Sequence, residues 1–433
     1  MRRRDSTAMQ SASNTQNKGT SLPEKRVALL WDESFLWGLM AYKALKNASL
    51  PFELIRAEDI RNGCLDEYAL LFVPGGWASN KLKALGDRGI GAIRNFVREG
   101  GNYLGFCGGA GLATQDSIGL LDIKRRPTKD RVPSFSGRIR LNTTSHLLWE
   151  NISEPAFHAW WPSQFVVEGS GIKILATYGE ALSDSFSSDL NTGDVNAYGN
   201  WNELEKIYGI NLDPKRLLNE PAVVEGRFGK GSVILSLIHF DTLADMNGAA
   251  VLQTLWEYLA DYKAATDCQA LIAEESEPDI RVSPVVAEIY TTASELIALG
   301  TRNFLWFWRN PMLLQWRRGV RGLEYCTLYI LAREIASLSN FLTIDETGKE
   351  MLVKIRNLLI PFAEKAKKLL LLERTAMSNG HITYEVCDAP QIQTLRKELF
   401  STSKSHGGPF KELISELDDY LYCLIRTREQ KPR

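Results

Sequence analysis

One cysteine of this chain stands in a setting that favours nucleophilic chemistry. The apolar segment 103–106 leads into Cys107, and a glycine-rich helix start at 108–113 follows it. Gly105 and Gly109 flank the cysteine at two residues on either side, which is the spacing of a nucleophile elbow. Such a turn is strained and leaves no space for Cβ atoms at the flanking positions, and a helix N-terminus favours thiolate over thiol. We therefore predict that Cys107 is a nucleophile; the alternative is a buried structural cysteine in a glycine-rich turn.

A thiol nucleophile needs a general base, and the chain contains five histidines. His239 follows the apolar segment 233–238, so we expect it where that strand reaches the rim of a sheet. Asp241 comes two residues later and can orient the imidazole ring. The predicted catalytic group is therefore Cys107, His239 and Asp241, and the alternative for His239 is a structural histidine at a strand end.

A second glycine-containing loop is a candidate oxyanion hole. The apolar run 69–73 continues into Pro74, Gly75, Gly76 and Trp77. Such a loop can present the Gly76 N–H to a developing oxyanion together with the N–H of Gly108. Gly75 and Trp77 are then expected to line the same pocket.

Residues from two other segments are candidates for the pocket wall. Asp32 and Glu33 follow the first apolar segment, and the loops after parallel strands converge on the ligand crevice of a doubly wound sheet. The alternative is a helix N-cap at Asp32 with Glu33 in the first helical turn. His158, close to Trp160 and Trp161, is predicted to form part of the pocket wall rather than to take part in catalysis.

The elements that must position these residues alternate between strands and helices. Short apolar runs occur at 27–31, 52–55, 69–73 and 103–106, with helical patterns between them. This alternation is typical of a parallel sheet covered on both faces. We therefore predict an α/β domain at 26–262, with a doubly wound, mostly parallel sheet of the flavodoxin-like type.

Two later segments of this domain are interpreted individually. The polar stretch 183–202 is expected to be a loop. Residues 221–236 are expected to form a β-hairpin, because two apolar runs are separated by Gly229, Lys230 and Gly231.

Composition divides the remainder of the chain. Residues 1–25 are polar and are predicted to be a disordered tail, because they cannot bury enough apolar surface to offset the entropy of ordering. Residues 263–283 are polar and acidic and are interpreted as a linker. Residues 284–433 show apolar residues at spacings of three and four and are predicted to form an all-α helical domain.

One segment of the helical domain combines aromatic residues with arginines. It spans Phe304 to Arg309 and continues at Trp316 to Arg318 and at Arg321. Such a segment suits a protein partner or a membrane surface. We favour bundle core with a basic rim, leave a protein partner of the helical domain open, and do not favour membrane contact.

Charge and cysteine content exclude several classes of protein. The 433 residues carry 51 lysines and arginines against 52 acidic residues, whereas a nucleic-acid binder needs clustered positive charge, so no nucleic-acid partner is expected. The six cysteines lack the close pairing of a zinc site, so we expect no metal. They are too sparse for a disulfide framework, so we expect a reducing, cytoplasmic location. We also expect no cofactor. No apolar run approaches the ~18 residues of a membrane span. The expected partner is a small-molecule or peptide-like acyl substrate.

The glycine-rich and histidine-containing segments together resemble a known superfamily. Residues 74–76, the turn 105–109 and the segment 239–241 look like the class I glutamine amidotransferase-like fold. Residues 103–110 most resemble the N-terminal domain of biotin-protein ligases, in the form of its bacterial stand-alone relatives. The resemblance covers roughly 26–262. It implies a thiol-dependent hydrolase or amidotransferase-like activity on an amide or related acyl substrate.

Two departures from the family pattern limit what the resemblance implies. The amidotransferases usually carry His-Pro-Glu where this chain has His239-Phe240-Asp241, so the shorter carboxylate must lie closer to the imidazole or reach it through water. Biotin ligases need a Gly-Arg-Gly-Arg-x-Gly loop for the adenylate, and this sequence contains none, which excludes biotin ligation by this polypeptide alone. The competing hypothesis is a non-catalytic binding or scaffold protein whose helical domain recruits a partner.

Limited proteolysis tests the domain boundaries. We expect the first cuts before Arg26 and between Lys263 and Pro284, because polar segments without packing are accessible to proteases. Mass spectrometry of the fragments should then find two resistant pieces. First cuts within 26–262 or 284–433 would show that the boundaries are wrong.

Overall fold

The structure is a computed structural model that describes residues 26–262, 283–342, 344–380, 382–383 and 387–430. The predicted tail, the predicted linker up to residue 282 and Cys268 lie outside the described residues.

A large mixed β-sheet forms the centre of the α/β region. The strands of the described residues are β1 Arg26–Leu30, β2 Glu53–Ile55, β3 Tyr68–Val73, β4 Asn102–Phe106, β5 Ile123–Arg125, β6 Phe135–Thr143, β7 Ala156–Trp160, β8 Phe165–Val167, β9 Lys173–Ala181, β10 Phe186–Ser187, β11 Leu190–Asn191, β12 Pro221–Phe228, β13 Gly231–Ser236, β14 Trp306–Asn310 and β15 Leu313–Trp316. Eleven of them form one sheet in the order β11-β10-β6-β9-β12-β13-β4-β3-β1-β2, with β7 paired to β6.

One half of this sheet is parallel and carries the predicted site. Strands β13, β4, β3, β1 and β2 pair in parallel, whereas the pairs beyond β13 are antiparallel. The parallel strands β1, β3, β4 and β13 are buried along almost their whole length, as expected for strands covered on both faces. The predicted α/β fold is therefore confirmed, and its carboxyl-end loops meet at one edge of the parallel half.

Helices cover the sheet and make up most of the C-terminal region. They are α1 Leu36–Asn47, α2 Ala57–Arg61, α3 Ala78–Arg98, α4 Gly108–Leu112, α5 Thr192–Tyr198, α6 Trp201–Tyr208, α7 Met246–Ala260, α8 Pro284–Arg302, α9 Gly322–Ser339, α10 Glu346–Asn379, α11 Pro390–Phe400 and α12 Gly408–Gln430. The helical character predicted for the C-terminal region is confirmed, with the hairpin β14–β15 as an addition. Within the described residues, none of the helices combines the length and apolar character that a membrane crossing requires.

The expectation of a loop at 183–202 is wrong. This stretch contains the short strands β10 and β11 and the helix α5, and α6 begins within it. Asn191 caps α5, because its side chain accepts a hydrogen bond from the Asp194 N–H at 2.9 Å. Polar capping residues lower the apolar content here without preventing secondary structure.

The aromatic and arginine-containing segment forms a hairpin that is partly buried and partly exposed. Leu305 and Trp306 are buried, whereas Phe304, Phe307 and Trp308 are 76%, 49% and 37% exposed. Burial therefore changes along the strand rather than alternating between neighbouring residues. The interpretation as core is right for part of the segment only.

The C-terminal helices pack against the α/β region through α1 and the loop after β2. Lys43 on α1 pairs with Glu334 on α9 at 2.7 Å. Arg56 pairs with Asp419 on α12 at 2.6 Å, and its guanidinium lies 4.1 Å from the centre of the Tyr422 ring. The helical region is thus adjacent to the end of β1, where the site begins.

Two backbone segments approach each other closely at the edge of the parallel half. A Cβ on Gly109 would overlap the carbonyl oxygen of Val73, and a Cβ on Gly108 would overlap the carbonyl oxygen of Gly76. Glycine is therefore required at the start of α4 for packing against the end of β3.

Substitution of Gly109 tests this contact. Gly109→Ala should lower the free energy of unfolding by about 3 kcal/mol, because backbone on both sides must move. The matched control is Gly91→Ala, since a Cβ at Gly91 on α3 meets nothing within 4 Å and alanine is the better helix former by roughly 1 kcal/mol. Urea unfolding followed by circular dichroism measures both, and equal stability of the two variants would contradict the contact.

Candidate functional site

Cys107 lies on a sharp turn between β4 and α4. Its backbone angles are φ 47° and ψ −102°, a region of the backbone map that residues other than glycine rarely adopt. The Cys107 N–H donates to the Ser236 carbonyl at 2.8 Å, and the Cys107 carbonyl accepts from the Gly111 N–H at 2.9 Å. A Cβ on Gly105 would lie 2.7 Å from the Gly109 backbone, so the flanking glycines hold the strained turn open. The thiol residue itself is partly exposed.

His239 and Asp241 lie on the turn that follows β13, and both are completely buried. His239 is expected at the rim of the sheet. The ring of Trp37 covers it there, with 4.7 Å between the ring centres. Nδ1 of His239 is 2.9 Å from Oδ1 of Asp241, so the short carboxylate reaches the imidazole directly. Nε2 of His239 has no hydrogen-bond partner at normal distance among the described residues.

The charge state of His239 is set by its neighbours. Burial alone would lower the pKa, because desolvation disfavours the imidazolium. The Asp241 carboxylate and the Cys107 side chain oppose this effect and raise the pKa of His239 to about 10. A protonated imidazole beside a thiol favours the thiolate. His239 can therefore hold a proton at neutral pH next to Cys107.

The loop after β3 lies directly against the start of α4. Gly76 has φ 112°, and its amide nitrogen is 3.0 Å from where a Gly108 Cβ would stand. In the part of the chain that the structure describes, neither the Gly76 N–H nor the Gly108 N–H donates to another backbone group. Gly75 lies next to His239, because a Cβ on Gly75 would lie 3.0 Å from Cε1 of the His239 ring. Trp77 follows and is 40% exposed.

The N-cap alternative for Asp32 is wrong, because α1 begins only at Leu36. Oδ2 of Asp32 instead accepts a hydrogen bond of 2.5 Å from the Ala57 N–H, at the start of α2. Glu33 adopts φ 55°, and its carbonyl oxygen is 2.5 Å from where a Gly76 Cβ would stand. The turn that carries Glu33 therefore lies against the loop that contains Gly76.

The C-terminal region reaches this part of the site. Oε1 of Glu33 forms an ion pair with Nζ of Lys411 on α12 at 2.5 Å, and Oε2 is buried without a partner among the described residues. His406 packs edge-on against Phe35, with 5.1 Å between the rings. Burial, with the charges of Lys411 and Arg321, lowers the pKa of His406 to about 3, so this contact is neutral.

His158 contacts His239 through a backbone hydrogen bond. Its carbonyl accepts from the His239 N–H at 2.8 Å, and its Nδ1 is 2.7 Å from Oδ2 of Asp245. Its ring stacks on Trp160, with 5.3 Å between the centres. His158 is therefore held in place by its own partners beside the candidate base.

Aromatic rings connect His239 to the hairpin β14–β15. Trp37 lies on His239 and is 6.2 Å from Trp161, which in turn stacks on Trp316 at 4.8 Å. Trp161 has φ 49°, a strained conformation. Of these rings, Trp37 covers one side of the buried imidazole.

Lys81 is a candidate site residue that sequence reasoning missed. It is completely buried, and its ammonium donates to the Asp32 carbonyl at 3.2 Å and to the Ser34 hydroxyl. These two bonds clamp the turn that carries Glu33. The signal in the sequence was a lysine within the buried stripe of α3, in register with Leu85 one turn later.

Lys81 also belongs to the charge network of the thiol. Burial lowers its pKa to about 7, although the negative charges of Glu33, Asp32, Asp418 and Cys107 oppose the shift. Each of these groups therefore interacts with the Lys81 ammonium. The Lys81 ammonium therefore loses its proton near neutral pH, a range in which few types of side chain titrate.

The pH dependence of stability tests the buried state of Lys81. Between pH 7 and about 10 the unfolded chain holds a proton that the folded chain does not, so the free energy of unfolding should rise with pH across this window. Lys81→Met should remove this rise. The nearby Lys83 provides the matched control, because it is not buried and Lys83→Met should keep the wild-type pH dependence. Urea unfolding at several pH values measures it, and equal slopes in the two variants would argue against a buried amine.

One segment of the chain matches a known protein family. Residues 55–117 match the family model described as biotin-protein ligase, N terminal, so the suspected resemblance is confirmed for this segment. It includes β3, the loop that contains Gly75 and Gly76, and the turn of Cys107. A search of curated protein sequences finds no match.

Several solved structures are similar to just over half of this chain. PurLQS from Thermotoga maritima has 15% identity and a TM-score of 0.37, and the match covers 55% of this chain and 99% of that one. A glutamine amidotransferase has 20% identity and a TM-score of 0.32, covering 55% of this chain and 99% of that one. A putative GMP synthase component from Thermoplasma acidophilum has 11% identity and a TM-score of 0.36, covering 55% of this chain and 96% of that one.

Proposed function

We propose that this chain, in which residues 55–117 match the biotin-protein ligase N-terminal family, is a thiol-dependent hydrolase or amidotransferase-like enzyme for an amide or related acyl substrate. The observation that carries the proposal is the buried His239–Asp241 pair beside the strained turn of Cys107. A buried pair with an unpartnered Nε2 and Oδ2 destabilises a fold. A scaffold gains nothing from this arrangement, whereas a catalyst uses it.

The first half of the proposed reaction forms an acyl-enzyme. The Cys107 thiolate attacks the acyl carbon, a C–S bond forms, and the carbonyl electron pair moves onto oxygen. The N–H groups of Gly76 and Gly108 stabilise this oxyanion. The C–N bond then breaks as His239 donates its proton to the leaving nitrogen, while Asp241 stabilises the orientation of the ring.

The second half releases the acyl group. His239, now neutral, takes a proton from water as the water oxygen attacks the thioester carbon. The C–S bond breaks, Cys107 leaves as thiolate, and a carboxylic acid is released. The base returns to its protonated form, so the cycle closes without a cofactor.

Selective alkylation tests the activated thiol. A limiting amount of iodoacetamide at pH 7 should label Cys107 first, because burial raises the pKa of Cys64 to about 11 and that of Cys326 to about 12. Peptide mass spectrometry identifies the labelled cysteine. Labelling of another cysteine at the same rate would favour a non-catalytic binding protein.

Removal of the base should slow this labelling roughly tenfold or more at neutral pH, because the positive charge that favours the thiolate is then lost. Two variants are needed, since His239→Ala leaves the buried Asp241 carboxylate without its partner and destabilises the fold for that reason alone. His239→Asn keeps a donor for Asp241 without supplying a base. His146→Ala, which removes a histidine outside the site, is the control. A labelling rate that is indifferent to His239 in folded protein would refute the catalytic role.

A further inference from the structure

We propose that Lys411, in the first turn of α12, is a positioning residue that holds the turn after β1 against Gly76, the proposed oxyanion donor. The C-terminal helical region then forms part of the working site rather than a separate module beside it. This inference rests on the proposed function, and it gives the C-terminal region a role in that same site.

The side chain of Lys411 contacts the turn after β1 at two residues. Nζ of Lys411 lies 2.5 Å from Oε1 of Glu33 and 4.7 Å from the centre of the Phe35 ring. The side chains of Glu33 and Lys411 are 19% and 31% exposed, so most of the surface of the pair is shielded from water. A shielded ion pair is screened less than one on the open surface. Lys411 therefore restrains the position of this turn.

The segment before α12 is anchored to the helical region. Arg321, directly before α9, donates from Nη2 to the Ser403 carbonyl at 2.7 Å. The Lys411 N–H donates to the Gly407 carbonyl at 3.3 Å, and the neighbouring Phe410 is completely buried. The position of the Lys411 backbone is therefore set by the packing of the helices.

A second contact from the same segment reaches the loop after β3. The Ser405 hydroxyl donates to Oδ1 of Asn80 at 3.4 Å. Asn80 lies in the first turn of α3, where its N–H donates to the Trp77 carbonyl at 3.0 Å. The C-terminal region thus contacts both the turn after β1 and the segment that follows Gly76.

The turn after β1 limits where Gly76 can lie. A Cβ on Gly76 would be 2.5 Å from the Glu33 carbonyl oxygen and 3.4 Å from Cα of Ser34. On its other side, the Gly76 carbonyl oxygen lies where a Gly108 Cβ would stand. Movement of the Glu33 turn would therefore let the Gly76 amide shift relative to Cys107. A displacement of about 1 Å in a positioned group can cost roughly a hundredfold in rate.

Two further ion pairs hold α12 on the α/β region independently of Lys411. Asp419 pairs with Arg56 at 2.6 Å, and Glu429 pairs with Lys46 at 2.7 Å. Lys46 lies at the end of α1 that is remote from the turn after β1. Loss of Lys411 should therefore loosen this turn without releasing α12. Lys46→Met is the matched control, because it also removes an ammonium that pairs with a carboxylate across the same interface.

Hydrogen–deuterium exchange measures the positioning directly. In Lys411→Met, peptides covering residues 31–37 and 74–81 should exchange about fivefold faster than in the wild type, because the ion pair no longer holds the turn. Lys411→Arg keeps the charge and should keep the wild-type exchange, and Lys46→Met should leave both peptides unchanged. Unchanged exchange in Lys411→Met, or an equal increase in Lys46→Met, would overturn the proposal.

Two reagents separate the oxyanion from the thiol. When p-nitrophenyl acetate acylates Cys107, the thiolate forms a C–S bond to the acetyl carbon through a tetrahedral oxyanion, and p-nitrophenolate leaves. Iodoacetamide alkylates the same thiolate by displacing iodide, without an oxyanion. Lys411→Met should slow acylation about tenfold and alkylation less than about twofold, since Gly76 acts on the oxyanion alone. Equal slowing of both reactions would indicate a merely structural role and would overturn the proposal.

A double variant assigns the effect to the ion pair. Glu33→Gln should change the ratio of acylation to alkylation as Lys411→Met does. The variant with both changes should be slower than either single variant by no more than about twofold, because both changes remove the same interaction. Effects that multiply in the double variant would show that the two residues act separately, contrary to the proposal.

The outcome is separable from that of the proposed function. Alkylation that does not depend on His239 would refute the thiol-dependent enzyme, whereas hydrogen exchange in Lys411→Met would still decide whether the C-terminal region orders the turn. A His239-dependent thiol whose acylation is indifferent to Lys411 would leave the enzyme in place and refute the positioning role.

Discussion

The candidate site depends on the contact between the end of β3 and the start of α4. At Gly108 and Gly109 the two backbones approach so closely that neither position leaves space for a side chain. This approach brings the Gly76 amide beside the turn of Cys107, and it fixes the strained conformation of that residue from both sides. A wider separation would leave the thiol in place but would remove the second N–H from its surroundings. Backbone packing, rather than any single polar contact, therefore determines the geometry on which the proposed chemistry rests.

Two positive groups act on the thiol, and each of them has negative partners. His239 has Asp241 as a direct partner, and Lys81 interacts with the carboxylates of Asp32 and Glu33 and with further negative groups. Charges in a poorly solvated site interact more strongly than in water, so these charge pairs bear on the state of the thiol.

Local sequence predicted those parts of the molecule whose geometry is determined over a few residues. The strands β1, β3 and β4, the turn of Cys107 and the pairing of His239 with Asp241 involve neighbours in the chain or strong apolar runs. Lys81 could have been noticed as a lysine in an apolar stripe, but its contact with the turn of Glu33 required the packing of α3. The segment 183–202 was misinterpreted because its capping residues are polar.

The position of β13 has a consequence for how the chain folds. This strand lies between β4 and β12, and its pairing with β4 joins Leu235 to Gly105, residues 130 positions apart in the sequence. At synthesis rates of about 5–20 residues per second, β4 waits on the order of ten seconds before its neighbour emerges. During this time the nascent chain exposes an apolar, unpaired strand edge next to the turn of Cys107. Such non-local pairing slows folding and makes the intermediate prone to aggregation, so recombinant yield should depend on synthesis rate and temperature more than the stability of the finished fold would suggest.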